Sequence, residues 1–203
     1  MNRIGVFGGT FDPLHNGHIA VAEAAAADLS LDYVYLMPNN IQPFKQDREI
    51  TANAHRLNML RLAAAEIPAI RISTIELDRE KVSYTYDSVQ YLKKVHPDSE
   101  LVFIMGADSL MSIERWYRGQ DLLKSCSFAA GFRPGCDSSG FSEKMEQLKD
   151  RYGATIYRLD NMEIPISSTE IKEKLRSGCS IRGLVPDAVE RYIDEHGLYI
   201  QHT

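Results

Sequence analysis

The sequence predicts an α/β fold, a parallel sheet with helices on both faces. Short apolar runs alternate with helix-period segments from one end of the chain to the other, the order from which crossover connections build a parallel sheet. The runs are also continuously apolar, as strands buried on both faces require.

Ile4 to Phe7 reads as a buried strand that Gly8-Gly9 breaks, and Asn16 to Leu29, rich in alanine, as a helix. Tyr33 to Met37, Ile70 to Ser73, Leu101 to Met105, Ser127 to Gly131 and Thr155 to Tyr157 read as further strands. Helices are expected over Ala54 to Ala65, Tyr86 to Val95, about Ser142 to Arg151, after Pro165, and from Pro186 to about Glu195, where His196-Gly197 ends the last. Arg133 to Gly140, with Pro134, Gly135, Ser138 and Ser139, reads as a loop and not as a domain boundary. With 203 residues and neither repeat nor linker, one domain over residues 1–203 is expected. Sheets of this kind bind ligands beyond the carboxyl ends of their strands, at the topological switch point. The segments after Phe7, Met37, Met105 and Gly131 are therefore expected on one edge.

Hydrophobic residues make up 44% of the chain and charged ones 25%, enough apolar material for a full core. A net charge of -5 without a basic block argues against bulk attraction to nucleic acid or to an anionic membrane. Cys126, Cys136 and Cys179 form no CxxC pair, so neither a disulfide framework nor a thiolate zinc site is suggested. No apolar stretch reaches signal-peptide or membrane-span length, and a reducing, cytoplasmic setting is expected. The oligomeric state is open, a homo-oligomer included.

The most informative string is Gly8-Gly9-Thr10-Phe11-Asp12-Pro13-Leu14-His15-Asn16-Gly17-His18, between the first strand and the first helix. Glycines let a turn tighten and a ligand approach the backbone. A helix start offers free N–H groups and a positive dipole end, which together bind anions. His15 and His18 are three apart, face the same way on a helical turn, and could stabilise charge growing on a polyphosphate. Each piece alone has a plainer account, a glycine turn and two structural histidines. Neither GxxxxGK[ST] nor GxGxxG occurs, and HxxH lacks the HExxH spacing of a zinc site.

Four other segments have two accounts each. Ser167 and Glu170 have capping-box spacing, and a capped helix start still presents donors to phosphate oxygens. Asp108, after Gly106, could accept from ribose hydroxyls or could cap a helix. Lys45, on the two-proline loop Pro38 to Lys45, is a phosphate cation or a solvated surface charge. Trp116, beside Tyr117 in a charged stretch, stacks on a ring at a pocket mouth or packs in the core.

Taken together the chain resembles the HxGH nucleotidyltransferases, and among them the bacterial nicotinate-nucleotide adenylyltransferases. The resemblance runs through Gly8 to His18, Pro38 to Lys45, Val82 to Ser88, Phe103 to Leu110, Trp116-Tyr117, Arg133-Pro134-Gly135, Ile166 to Ile171 and Val185 to Tyr199. It implies a Rossmann-like nucleotidyltransferase fold and transfer of AMP from ATP to nicotinate mononucleotide, giving deamido-NAD and pyrophosphate, with Mg2+ bridging the ATP phosphates. It implies that Gly8, Gly9, Thr10, His15 and His18 meet ATP, the two histidines at its phosphates. Gly106 and Asp108 would hold its ribose, while Arg133, Ser167 and Ser168 would complete the ATP site. Lys45 would meet the mononucleotide phosphate, Trp116 would stack on the pyridine ring, and the N–H groups of Thr85 and Tyr117 would hold its carboxylate. No protein-bound metal is implied. Lys172 departs from the arginine common in the family, and loses that residue's bidentate fork. Pantetheine-phosphate adenylyltransferases share the first motif, but Ser83-Tyr84-Thr85 and Trp116 argue against them. A catalytically silent nucleotide-binding module would not need both histidines of the motif.

Overall fold

The computed structural model describes residues 2–40, 50–79, 82–131, 138–159 and 166–200. Its strands are β1 (Asn2–Gly9), β2 (Tyr33–Pro38), β3 (Ile70–Ile72), β4 (Ser99–Gly106), β5 (Ser127–Gly131) and β6 (Ile156–Leu159). Its helices are α1 (Asn16–Asp28), α2 (Asn53–Ala64), α3 (Thr85–Val95), α4 (Ala107–Ser112), α5 (Gly119–Leu123), α6 (Ser138–Tyr152), α7 (Ser168–Arg176) and α8 (Asp187–Glu195). The six strands form one parallel sheet in the order β3-β2-β1-β4-β5-β6.

Alternation along the central strands divides the core between the two faces. Val34, Leu36, Val102, Ile104 and Ala129 pack with Ala22 and Ala25 of α1, Met59 and Leu60 of α2, Ile171 of α7 and Val189 and Ile193 of α8. Ile4, Val6, Met37, Phe103, Met105 and Phe128 pack on the other side with Val89 and Leu92 of α3, Leu110 of α4, Leu122 of α5 and Leu148 of α6. Both faces are covered, so the strands have no polar face to show, and their continuous apolar runs follow.

Every expected strand and helix has a counterpart, with three corrections. Gly8-Gly9 do not break the first strand. Gly8 pairs with Met37 and Gly9 with Pro38, and a ladder with a partner continues through glycine. Ser138 to Gly140 are helical, the first residues of α6, and not part of a loop. Serine and glycine are as common at a helix start as in a loop, so composition does not separate the two. Between β4 and β5 the chain also forms α4, a 3-10 turn over Ile113–Arg115, and α5, all too short for a helical period to show in the sequence.

The sheet order reverses between β1 and β4, and a crevice opens there. Phe7 lies level with Ile104, Gly9 with Pro38 and Gly106 with Gly131. The loops after β1, β2, β4 and β5 accordingly rise from one edge, as expected. Among the described residues no helix is long and apolar enough to cross a membrane.

Gly119 closes the turn that carries Trp116 and Tyr117 toward this edge. Its N–H donates to the Trp116 carbonyl at 2.9 Å, and a Cβ added to it would lie 2.0 Å from the Ile113 carbonyl oxygen. Replacing it by alanine forces the turn to move, with a loss of roughly 1–3 kcal/mol of stability. Urea unfolding of Gly119→Ala measures this, and an unchanged midpoint would contradict so tight a turn.

Candidate active site

A cavity of about 630 Å³ occupies the crevice, a volume suited to a mononucleotide. Gly8 and Gly9 at the end of β1, Gly106 and Asp108 at the β4–α4 junction, Thr85 at the start of α3, and Trp116 and Tyr117 all line it. These seven expected residues, far apart in sequence, meet around one space. Thr10, His15 and His18 continue from Gly9 into α1, and Ser167 and Ser168 start α7. The two helix starts are tied together, because the Ser168 hydroxyl donates to the Pro13 carbonyl at 3.0 Å. Lys45 and Arg133 lie outside the described residues.

His15 is the N-cap of α1, and its ring stacks on that of His18 with centroids 3.6 Å apart and planes at 27°. The His15 N–H donates to His18 Nδ1 at 3.3 Å. A neutral His18 that accepts at Nδ1 carries its proton on Nε2 and presents it as a donor. Phe11 wedges the pair in place, its ring edge-on to His18 at 5.0 Å. This ring is also the reason for Gly9: a Cβ there would meet Phe11 Cζ at 2.9 Å. Gly8 and Gly106 differ. A Cβ on Gly8 would find its nearest atom, in Phe103, at 3.5 Å, and one on Gly106 would find nothing within 4 Å. Nothing in the protein itself demands glycine at these two positions. The first turn of α1 itself holds no acidic residue.

The other expected residues divide more finely than the sequence suggests. Ser167 caps α7 by accepting from the Glu170 N–H at 3.1 Å, which leaves its own proton to donate. Asp108 is not a cap; Gly106 takes that position and Asp108 is exposed in the first turn of α4. Trp116 is half-buried against the α3–α6 side of the core, as the packing account expects, and it also lines the cavity. Tyr117 is half-exposed, with its ring 4.4 Å from that of Tyr84. Thr85 is the first residue of α3, where helical N–H groups lack partners within the helix.

Three groups at the site were not singled out in the sequence. Arg56 is 0% exposed, and its guanidinium donates to the carbonyls of Thr10 (2.6 Å), Asn39 (2.7 Å) and Thr51 (3.1 Å). A signal existed: Arg56 shares the buried stripe of α2 with Met59, Leu60 and Ala63, and a charge in an apolar stripe implies a built environment. Asp12 is buried and accepts from Lys172 Nζ, the Tyr199 hydroxyl (2.7 Å) and the Thr51 N–H (3.4 Å). Burial alone pushes its carboxyl upward, but the donors from Lys172, Thr51 and Tyr199 outweigh burial and hold it below the ordinary carboxylate value. Glu76, also buried and lining the cavity, accepts from the Ser88 hydroxyl at 2.6 Å. Burial pushes its carboxyl above the ordinary value, with the Ser88 bond and the Arg79 charge opposing.

Residues 6–174 match the family model described as cytidylyltransferase-like. The chain is 38% identical to the nicotinate-nucleotide adenylyltransferase of Bacillus subtilis, over 98% of this chain and 99% of that protein. It is 40% identical to a Thermoanaerobacter protein named "Probable nicotinate-nucleotide adenylyltransferase", over 97% and 94% of the two. Among solved structures, the Plasmodium falciparum nicotinic acid mononucleotide adenylyltransferase complexed with NaAD superposes with a TM-score of 0.80, at 21% identity and over 98% of each chain. That likeness is one of fold.

Glu76 generates a pH prediction. Its folded value is raised above the ordinary 4.5, so folding favours the neutral form. That contribution is complete below the unfolded value and is lost as pH rises through the folded one. Glu76→Gln stays neutral and keeps an acceptor for Ser88. The difference in thermal midpoint between variant and wild type should therefore move in the variant's favour between about pH 4 and pH 8, by about 1.4 kcal/mol for each pH unit by which the value is raised. A difference independent of pH would mean that Glu76 ionises as it does in the unfolded chain.

Proposed function

The chain belongs to the cytidylyltransferase-like family, its full-length relatives there are nicotinate-nucleotide adenylyltransferases, and on that premise we propose that it transfers AMP from ATP to nicotinate mononucleotide, giving deamido-NAD and pyrophosphate. One observation carries the reading beyond family membership. A single cavity joins Gly8 and Gly9, at the strand end that leads into the HxGH loop, to Trp116 and to the open helix start at Thr85, so an aromatic acceptor held there lies beside the loop that would take the triphosphate.

ATP enters as its magnesium chelate, the cation riding on phosphate oxygens as magnesium commonly does. The backbone at Gly8 and Gly106 lets the nucleotide approach closely, and Asp108 accepts from its ribose hydroxyls. The starts of α1 and α7, the latter including the Ser168 N–H, together with the His15 and His18 rings, Thr10 and the Ser167 hydroxyl, surround the triphosphate with donors. Lys45 and Arg133 add cations to the acceptor and ATP phosphates respectively. A phosphate oxygen of the mononucleotide attacks the α-phosphorus, the bond to the β-phosphate oxygen breaks, and pyrophosphate leaves with the electron pair. A phosphate monoester, with a second pKa of about 6, is already largely ionised at neutral pH, so no general base is needed. The residues align the two phosphates and neutralise charge on the leaving group. We place the reaction in the cytoplasm, a setting supported by the free Cys126 and Cys179.

Acceptor specificity follows from Thr85 and Tyr117. Two N–H donors matched to the two oxygens of a carboxylate would meet, in the amide, one oxygen and an NH2 group, a buried mismatch of roughly 1–3 kcal/mol. With a charge-assisted bond lost as well, nicotinate mononucleotide should be preferred over nicotinamide mononucleotide by about a hundredfold in kcat/KM. Pyrophosphate release with each mononucleotide in parallel tests this, and equal efficiencies would refute the acceptor assignment. Gly106→Ala separates ligand fit from folding. A Cβ there meets nothing in the protein, so the melting temperature should stay near wild type while the KM for ATP rises by about tenfold or more, the size of one lost close contact. A variant with wild-type KM would place the nucleotide elsewhere.

A further inference from the structure

We propose that Lys172 and Tyr199 are positioning residues that govern adenylyl transfer through Asp12, and that Lys172 is not itself a phosphate ligand. The inference rests on the proposed function, since it concerns the same HxGH loop.

Asp12 stands three residues before His15 and is 4% exposed. Both of its carboxylate oxygens are occupied: Oδ1 accepts from the Tyr199 hydroxyl at 2.7 Å, while Oδ2 accepts from Lys172 Nζ and, at 3.4 Å, from the Thr51 N–H. Lys172 sits on α7 one turn after Ser168, and Ser168 holds the Pro13 carbonyl. Helix α7 thus grips consecutive residues of the loop, Asp12 and Pro13, and fixes the path of the chain into His15.

Tyr199 reaches Asp12 from the turn after α8, with a backbone φ of 66° that a tyrosine adopts only under constraint. The segment it ends is anchored at several points. Tyr192 pairs through its hydroxyl with His55 (2.9 Å) and Asn58 (3.0 Å), and the Leu184 and Gly183 carbonyls accept from the Asn16 N–H and side chain, each at 2.9 Å. Asn16 is the first residue of α1. The chain's last turns therefore brace the HxGH loop from the side opposite β1.

The Lys172 ammonium also lies 5.2 Å from the centre of the Tyr199 ring. If it left for a phosphate, a carboxylate 4% exposed would keep only neutral hydrogen-bond donors, with the Arg56 charge acting on it without a direct bond, and a buried charge that loses its direct ionic partner is strongly disfavoured. A lysine presents its three donors at one point, so a phosphate could share the ammonium only by coming close to the buried Asp12 carboxylate, which repels it. Its charge belongs to Asp12.

The test is steady-state pyrophosphate release by wild type, Lys172→Met, Tyr199→Phe, Asp12→Asn and the Lys172→Met/Asp12→Asn double variant, with circular dichroism and melting curves for each. A displaced loop should lower kcat by about ten- to a hundredfold in each single variant, the scale of a small misplacement at a reacting centre, with the KM for ATP little changed. The double variant should be no slower than the slower single, since both changes break one interaction. Lys172→Arg should restore most of kcat. A Lys172→Met protein with normal kcat and a raised KM for ATP would make Lys172 a phosphate ligand and overturn the proposal, as would full activity in Tyr199→Phe or additive losses in the double variant. If Asp12→Asn does not fold, Lys172→Met and Tyr199→Phe form the cycle, with the same non-additivity expected. Wild-type protein that releases no pyrophosphate from ATP and nicotinate mononucleotide would refute the proposed function, and this inference with it; an active wild type with additive variants refutes only the inference.

Discussion

Arg56 is the constraint on which the site's geometry depends. A parallel sheet delivers the ends of several strands to one edge, and the loops that leave it turn carbonyl groups inward where water is excluded. Arg56 answers the carbonyls of Thr10, Asn39 and Thr51 and the side chain of Asn53 with one guanidinium that has no exposed surface. These acceptors belong to the loops after β1 and β2 and to the approach to α2. Burial lowers its pKa against the pull of nearby Asp12, yet an arginine keeps its charge and its five planar donors in such a place. Lysine, with three donors at one point, could not span the same acceptors.

The network continues beyond Arg56. Asn53 donates to Asn40 at 2.8 Å, Asn40 to the Arg79 carbonyl at 2.7 Å, Arg79 to Ser88 at 3.2 Å, and Ser88 to Glu76. One chain of polar contacts thus runs from Thr10, on the proposed phosphate side, to the helix that starts at Thr85, on the proposed acceptor side. For a reaction that needs no base, alignment of two phosphates is most of the catalytic problem. A continuous network whose two ends, Arg56 and the Ser88–Glu76 pair, are buried is a physical means of holding that alignment, because a buried member left without its partner is strongly penalised.

The fold was legible because burial on both sheet faces writes itself into each strand as a local pattern. Of the site, the backbone parts were legible: the glycines, the helix starts and the two histidines lie in one contiguous string or in short strings with a recognisable order. What was illegible is the pairing of residues remote in sequence. Asp12 with Tyr199 spans 187 positions and Asp12 with Lys172 spans 160, and no local period encodes such a contact. The sequence also gave Gly8 and Gly9 one explanation where the structure requires two. Gly9 makes room for Phe11, whereas a Cβ on Gly8 would make only ordinary contact with Phe103 and Met37, and one on Gly106 would meet nothing within 4 Å. Side-chain packing against a residue two positions away decides that difference, and composition does not record it.

The electrostatics of the loop then resolve an apparent contradiction. A chain of net charge -5 places a buried carboxylate, Asp12, within three residues of the histidine that begins α1, the helix proposed to meet the triphosphate. Taken alone, that carboxylate would repel a triphosphate. Lys172 meets it directly and Arg56 lies close enough to feel it, so two cations, buried Arg56 and partly exposed Lys172, act on one anion and the local balance remains positive. The helix start of α1 adds to that balance without any carboxylate in its first turn. Asp12 therefore acts less as a charge presented to the ligand than as a fixed internal counter-ion. It immobilises the cation that helix α7 brings to the loop, and it gives the end of the chain something to hold. On the proposed reading, attraction for phosphate is left to groups whose positions this counter-ion sets, so charge in the loop is arranged for geometry first and for affinity second.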